Sequence, residues 1–135
     1  MAATNLSSIS AFSLAVVGVD FPNKAKGPTR RFEIAVCAPG DPVQLRSEPK
    51  NPADPRAIAV YSERGVQMGY ISAERAPRIG QLLRQHTVTA IFQEATRYGA
   101  VIRVAFDDDV PVLPPPKPQA PAEPDFYPDE IWPDD

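Results

Sequence analysis

Three prolines at every third position, Pro49, Pro52 and Pro55, shape one stretch of this chain before any tertiary contact forms. The stretch runs Arg46-Ser47-Glu48-Pro49-Lys50-Asn51-Pro52-Ala53-Asp54-Pro55-Arg56 and enters the apolar run Ala57-Ile58-Ala59-Val60. Each proline ring fixes its own φ and pushes the residue before it, Glu48, Asn51 or Asp54, out of the helical region. The segment is therefore a stiff polar arch leading into a buried strand. Asn and Asp bond nearby backbone N–H groups in turns, and Asp-Pro favours a type I turn. The side chains of Asn51 and Asp54 thus either hold the arch or face a ligand, and the arch alone does not decide which.

The remaining pattern is that of short strands. Phe12 to Val19 is rich in β-branched and aromatic residues and reads as a largely buried first strand. Asp20 to Arg31 is a loop broken by two prolines and a glycine, and it holds four cations: Lys24, Lys26, Arg30 and Arg31. Phe32 to Val36 alternates apolar and polar as a half-buried strand does, Pro39-Gly40-Asp41 turns the chain, and Val43 to Ser47 continues into the arch. Ala57 to Ser62 and Val66 to Ile71 form a hairpin around Glu63-Arg64-Gly65, and Gly69 marks a close backbone approach. Ser72 reads as a helix N-cap, Pro77 is tolerable only near the helix start, and Ile79, Leu82 and Leu83 give the apolar stripe up to about His86. Val88 to Ala95 and Ala100 to Phe106 make a last hairpin around Arg97-Tyr98-Gly99. The sum is a mainly β chain of six to seven short strands with one main helix, and closure into a small barrel would remove its exposed edges.

Charge divides the chain at Phe106. Residues 1–106 carry 13 Lys and Arg against 8 Asp and Glu, a balance of +5, while residues 107–135 carry 1 against 9, a balance of -8. A basic body argues for a polyanionic partner, and an acidic tail for an interaction arm or an internal competitor. The tail also holds nine of the 17 prolines, a density that no packed element tolerates. Three regions follow: a disordered N-terminus over 1–10, a barrel over 11–106 and a disordered acidic proline-rich tail over 107–135. The tail ends in Asp125-Phe126-Tyr127-Pro128-Asp129-Glu130-Ile131-Trp132-Pro133-Asp134-Asp135, four large apolar side chains among six acids, which suits residues 125–135 either to a protein partner or to a solvating tail that keeps a basic domain soluble.

Other classes find little support. The longest apolar run, Leu14 to Val19, is far short of the roughly 20 residues that span a bilayer, so the chain reads as soluble, unexported and cytoplasmic, without membrane contact. One cysteine, Cys37, and one histidine, His86, supply neither an internal disulfide nor the usual zinc ligands. Cys37 sits in an apolar alternation and reads as an inert half-buried thiol. No nucleophile–base pair, cofactor motif or small-molecule substrate is evident, so no catalysis and no cofactor are expected.

Three segments in order resemble the HIRAN domain family: Val16-Val17-Gly18 at the end of the first strand, the core Glu48-Pro49-Lys50-Asn51-Pro52-Ala53-Asp54-Pro55-Arg56-Ala57-Ile58-Ala59-Val60, and Gly69-Tyr70-Ile71 before a helix. The resemblance covers about Phe12 to Phe106 and is closest to the short stand-alone bacterial members. It implies an OB-like barrel, which in the fork-remodelling helicases of eukaryotes holds the 3′ end of single-stranded DNA. The chain has no Walker A pattern and no zinc-ligand cluster, so the helicase and RING activities of the large relatives do not carry over. By the resemblance, Asn51 and Asp54 match positions that contact the terminal nucleotide, Phe21 keeps an aromatic where a base stacks, and Tyr70 matches a ring-bearing position. Asp20 stands where those domains carry an arginine and Ala53 where they carry a tyrosine, which removes one phosphate contact and one stacking surface.

These residues define the expected chemistry. Phe21, Tyr70 and Tyr98 offer ring faces to unstacked bases; Phe21, in a polar cationic loop beside Pro22, is the least suited of them to a core, and Tyr70 suits a core and a ligand equally. Lys24, Lys26, Arg30 and Arg31 either follow a phosphate backbone or simply form a solvated loop. Asp54 repels phosphate but accepts a hydrogen bond from a free sugar hydroxyl, which makes sense only where a strand ends. The expected function is a non-catalytic module for single-stranded DNA in replication or repair; the alternative is a protein-interaction adaptor that docks through its tail.

Overall fold

The computed structural model describes residues 9–115. Residues 1–8 and 116–135 lie outside the described residues, and with them the expected protein-docking segment 125–135. The elements in chain order are β1 (Phe12–Val17), α1 (Arg30–Val36), β2 (Pro42–Ser47), β3 (Ile58–Ser62), β4 (Gln67–Ile71), α2 (Ala76–Gln85), β5 (Val88–Thr96) and β6 (Gly99–Phe106). Six antiparallel strands close into a barrel in the order β1-β4-β3-β2-β5-β6, as the strand pattern led us to expect.

Strand alternation fills the barrel. Leu14 and Val16 of β1, Ile58 and Val60 of β3, Met68 and Ile71 of β4, Phe92 of β5, and Ile102 and Val104 of β6 are all nearly inaccessible. Helix α2 lays Ala76, Ile79 and Leu82 against this core, one apolar stripe at helical spacing. Gly69 occupies the close approach expected of it, because β1 crosses directly over it: a Cβ there would lie 2.4 Å from the Val17 carbonyl oxygen.

Two expectations are corrected. The segment Phe32–Val36 is not a strand but part of α1, so the barrel has six strands and the chain two helices. The Thr29 hydroxyl caps α1 by accepting from the Phe32 N–H at 3.0 Å, and the inward positions are Arg30, Glu33 and Ile34. The alternating apolar residues Phe32 and Val36 instead face solvent, so hydropathy pointed to the wrong period. Helix α2 begins at Ala76 with Arg75 as N-cap, not at a Ser72 cap. The Ser72 carbonyl accepts from the N–H groups of Arg75 and Ala76 in a preceding turn, and Pro77 falls in the first helical turn, where its missing N–H does no harm.

Helix α1 is tied to the β3–β4 turn by a buried carboxylate. Glu33 is almost wholly inaccessible and accepts from Arg64 Nε at 3.0 Å and Arg64 Nη2 at 2.5 Å. At the far end, Asp107 pairs with His86 Nδ1 at 2.9 Å and accepts from the Thr87 N–H, which holds the exit of β6 against the start of β5.

Candidate nucleic-acid interface

The arch closes on itself before it meets anything else. Its base is the bond from the Glu48 N–H to the Ala57 carbonyl at 2.9 Å, and its bends are closed by Asn51 N–H to Glu48 O and Ala57 N–H to Asp54 O. Asn51 Oδ1 accepts from the N–H groups of Ala53 and Asp54, and its Nδ2 donates to Glu48 Oε1 at 2.9 Å. Asp54 Oδ1 accepts from the Arg56 N–H at 2.8 Å; among the described residues its second oxygen has no partner. Both residues are half-buried, so the arch takes most of Asn51's hydrogen-bonding capacity and about half of Asp54's.

Between the arch and the loop after β1 lies a groove of about 740 Å³. Lys24, Lys26 and Arg30 line it on the loop side, Glu48, Lys50 and Asn51 on the arch side, and Tyr61 and Tyr70 from β3 and β4. The β3–β4 register shifts between Val60 and Tyr61, an interruption of the ladder of the kind that re-aims a side chain. One face of the Tyr61 ring is covered by the Arg46 guanidinium, 4.0 Å from its centroid.

Arg30 builds the loop. It is 6% exposed; its Nη1 donates to the Gly18 carbonyl at 2.8 Å and its Nε to Asn23 Oδ1 at 2.7 Å, while Asn23 Nδ2 donates to the Gln67 carbonyl at 3.0 Å. Its guanidinium lies 5.4 Å from the Tyr70 ring centroid. Around Gly18, the Phe21 ring, the Tyr70 ring and the Arg30 guanidinium converge, each 3.8 Å from the point a Cβ would occupy. Phe21 is 68% exposed, so one aromatic face stands free beside a cation and a second ring.

Of the eight residues singled out in the sequence, the groove brings together Lys24, Lys26, Arg30, Asn51 and Tyr70. Phe21 and Asp54 are not among its lining residues: the Phe21 ring meets two that are, Tyr70 and Arg30, around Gly18, and Asp54 sits further along the arch. Arg31 is paired with Asp20, whose carboxyl it holds below the usual range, so one loop cation is locally neutralised. Tyr98 stands at the β5–β6 turn beside Arg97, outside the groove. Sequence reasoning assigned no role in binding to Glu48, Lys50 or Tyr61. The Tyr70 hydroxyl donates to Glu48 Oε1 at 2.8 Å; burial above all, helped by the bond and charge of Glu48 and opposed by Gln67 and Arg30, raises its pKa above the ordinary phenol value. Among the described residues no cluster of His, Cys, Asp and Glu could hold a metal ion, and no helix is long and apolar enough to cross a membrane.

The fold and groove define a small closed β-barrel with a cationic cleft bordered by aromatic rings. The chain belongs to the HIRAN domain family, whose profile matches residues 9–111. Two solved structures are similar in fold: the crystal structure of the HIRAN domain of human HLTF, and that of a protein from Lactobacillus plantarum. The first has 18% identity and a TM-score of 0.54, covering 71% of this chain and 74% of that one. The second has 19% identity and a TM-score of 0.54, covering 71% of this chain and 97% of that one. At these identities the likeness concerns the fold alone. No curated protein matches the sequence.

Proposed function

We propose that the protein is a non-catalytic module that binds single-stranded DNA in this groove. The observation that carries the reading is the exposed Phe21 ring beside Tyr70 and Arg30, next to a cleft lined by Lys24, Lys26 and Lys50. Among the described residues none of these lysines has an ion-pair partner, so each is available to a phosphate. A ring that stacks a base beside cations that follow a backbone is the usual pairing in sequence-tolerant single-strand binding. Inside a duplex the bases are already stacked on both faces, so only its ends offer a face to Phe21.

The finer reading is that the strand leaves the groove along the arch and ends at Asp54, supported by that residue's open oxygen, which suits a terminal sugar hydroxyl and not a continuing phosphate. Titration of the full chain with labelled single strands and duplexes at two salt concentrations tests the main proposal. Tighter single-strand binding is expected, with a log-log salt slope near -2 if about three phosphates are neutralised. Absence of binding at low salt would end it. For the end, blocking the 3′ hydroxyl with phosphate should weaken binding to the native protein and leave Asp54→Asn unaffected.

A further inference from the structure

Glu48 is the one acid among the described residues lining a groove whose other charged groups, Lys24, Lys26, Arg30 and Lys50, are all cations, a placement that a phosphate track alone does not explain. Its Oε1 is full: it accepts from the Tyr70 hydroxyl at 2.8 Å and from Asn51 Nδ2 at 2.9 Å, one donor for each lone pair. Turning the carboxylate would break both bonds, so its orientation is set. Its Oε2 receives no bond among the described residues. One oxygen is enough to anchor Tyr70 and Asn51, and the second remains as a fixed, charged acceptor in the cleft.

We propose that Glu48 reads the base: its free oxygen accepts from the exocyclic amine of a cytosine or adenine and disfavours thymine. This rests on the reading that the groove holds a single strand. A phosphate at that oxygen would be repelled, so a strand running along Lys24, Lys26 and Lys50 turns a base, not its backbone, toward Glu48. Cytosine N4 and adenine N6 carry donors, and acidic side chains pair with the cytosine amine. Thymine offers its N3–H only between two carbonyl oxygens, which a carboxylate repels. A hydrogen bond to a charged acceptor supports about a tenfold preference. The lone pairs filled by Tyr70 and Asn51 leave no room for the paired donors of guanine across both oxygens, so the reading is of one amine.

The test compares 5′-labelled dC and dT homopolymers of equal length on the full chain, with a third strand in which 2-pyrimidinone, cytosine without its amine, replaces cytosine. The expected result is about tenfold tighter binding of the cytosine strand, reduced to the thymine level by the amine-free base. Glu48→Gln keeps an oxygen for Tyr70 and Asn51 but turns the free position into a donor, so the preference should move toward thymine, whose O4 accepts. Equal binding of all three strands by the native protein overturns base reading and leaves the groove proposal standing. An equal loss on every strand in Glu48→Gln overturns it too, since it shows that the carboxylate only props up Tyr70. No binding of any strand overturns both. The amine-free strand decides the matter even if the variant fails to fold.

Discussion

Replacing Gly69 with alanine should come close to opening the barrel. The new Cβ would sit 2.4 Å from the Val17 carbonyl oxygen and 2.9 Å from Val16 Cγ1, where ordinary contact begins near 3.4 Å. Backbone, not a pliable side chain, must therefore move by about 1 Å. The seam at risk is short, since β1 and β4 pair only through Val16 with Ile71 and Val17 with Tyr70. Residue 69 also has φ of +153°, a conformation that alanine rarely adopts. Overpacking and backbone strain each cost about 1–3 kcal/mol, so a loss of about 3–5 kcal/mol is expected. For a domain of this size that lowers the melting temperature by roughly 12–25 °C. Two other glycines are internal controls. Gly65→Ala, at φ +82° with nothing within 4 Å, should lose only about 1–2 kcal/mol, from backbone strain. Gly80→Ala, inside α2 with its nearest neighbours at 3.6 and 3.8 Å, should gain about 0.5–1 kcal/mol. Thermal melts of the three variants give the order directly, and Gly69→Ala no less stable than Gly65→Ala would refute the reasoning.

Three further outcomes follow from the same structure. Arg64 holds the Glu33 carboxyl below its ordinary value of 4.5, so the stability the pair contributes is fully present above about pH 4.5 and is lost as pH falls through the depressed value. In Arg64→Met burial is opposed only by the smaller effect of the Ser62 hydroxyl and favours the neutral acid, so the gap in urea midpoint between variant and native protein should be smaller at pH 4 than at pH 7; an equal gap would contradict it. The Cys37 thiol is pushed up to about 11 by burial and by the nearby Glu33 and Asp41 charges, so a thiol reagent at pH 8 should label the folded protein far more slowly than the protein in denaturant. Deleting residues 116–135, with one lysine and six acids, should tighten oligonucleotide binding severalfold at low salt if the tail competes with nucleic acid for the basic body; unchanged affinity would exclude that competition.

The parts legible in the sequence were those in which local chemistry and burial agree. The prolines of the arch, the Glu63-Arg64-Gly65 turn and the Arg97-Tyr98 turn specified their own backbones, and the strands between them alternate cleanly enough to imply the barrel. Helix α1 was not legible because two of its three inward positions are the charged Arg30 and Glu33, with Ile34 the third, and its outward ones include Phe32 and Val36, largely the reverse of what hydropathy assumes. The signal that could have found it was Thr29 as a cap after Pro28, with Glu33 in the first turn. In the site, the cations of the loop were visible but their engagements were not: Arg30 is bonded to the loop's own carbonyls and Arg31 to Asp20, both set by tertiary geometry. Glu48 lay within the recognised arch, yet only the fold brings Tyr70 from a strand 22 residues away onto its oxygen.

The central claim is that a free aromatic face beside a cationic cleft takes up an unstacked base. Phe21→Ala tests it most directly, because the ring is 68% exposed and its loss should leave the melting temperature nearly unchanged. Single-strand affinity should fall by roughly 5- to 150-fold, the equivalent of the 1–3 kcal/mol of one stacked base. The same affinity in the variant and the native protein would contradict the account.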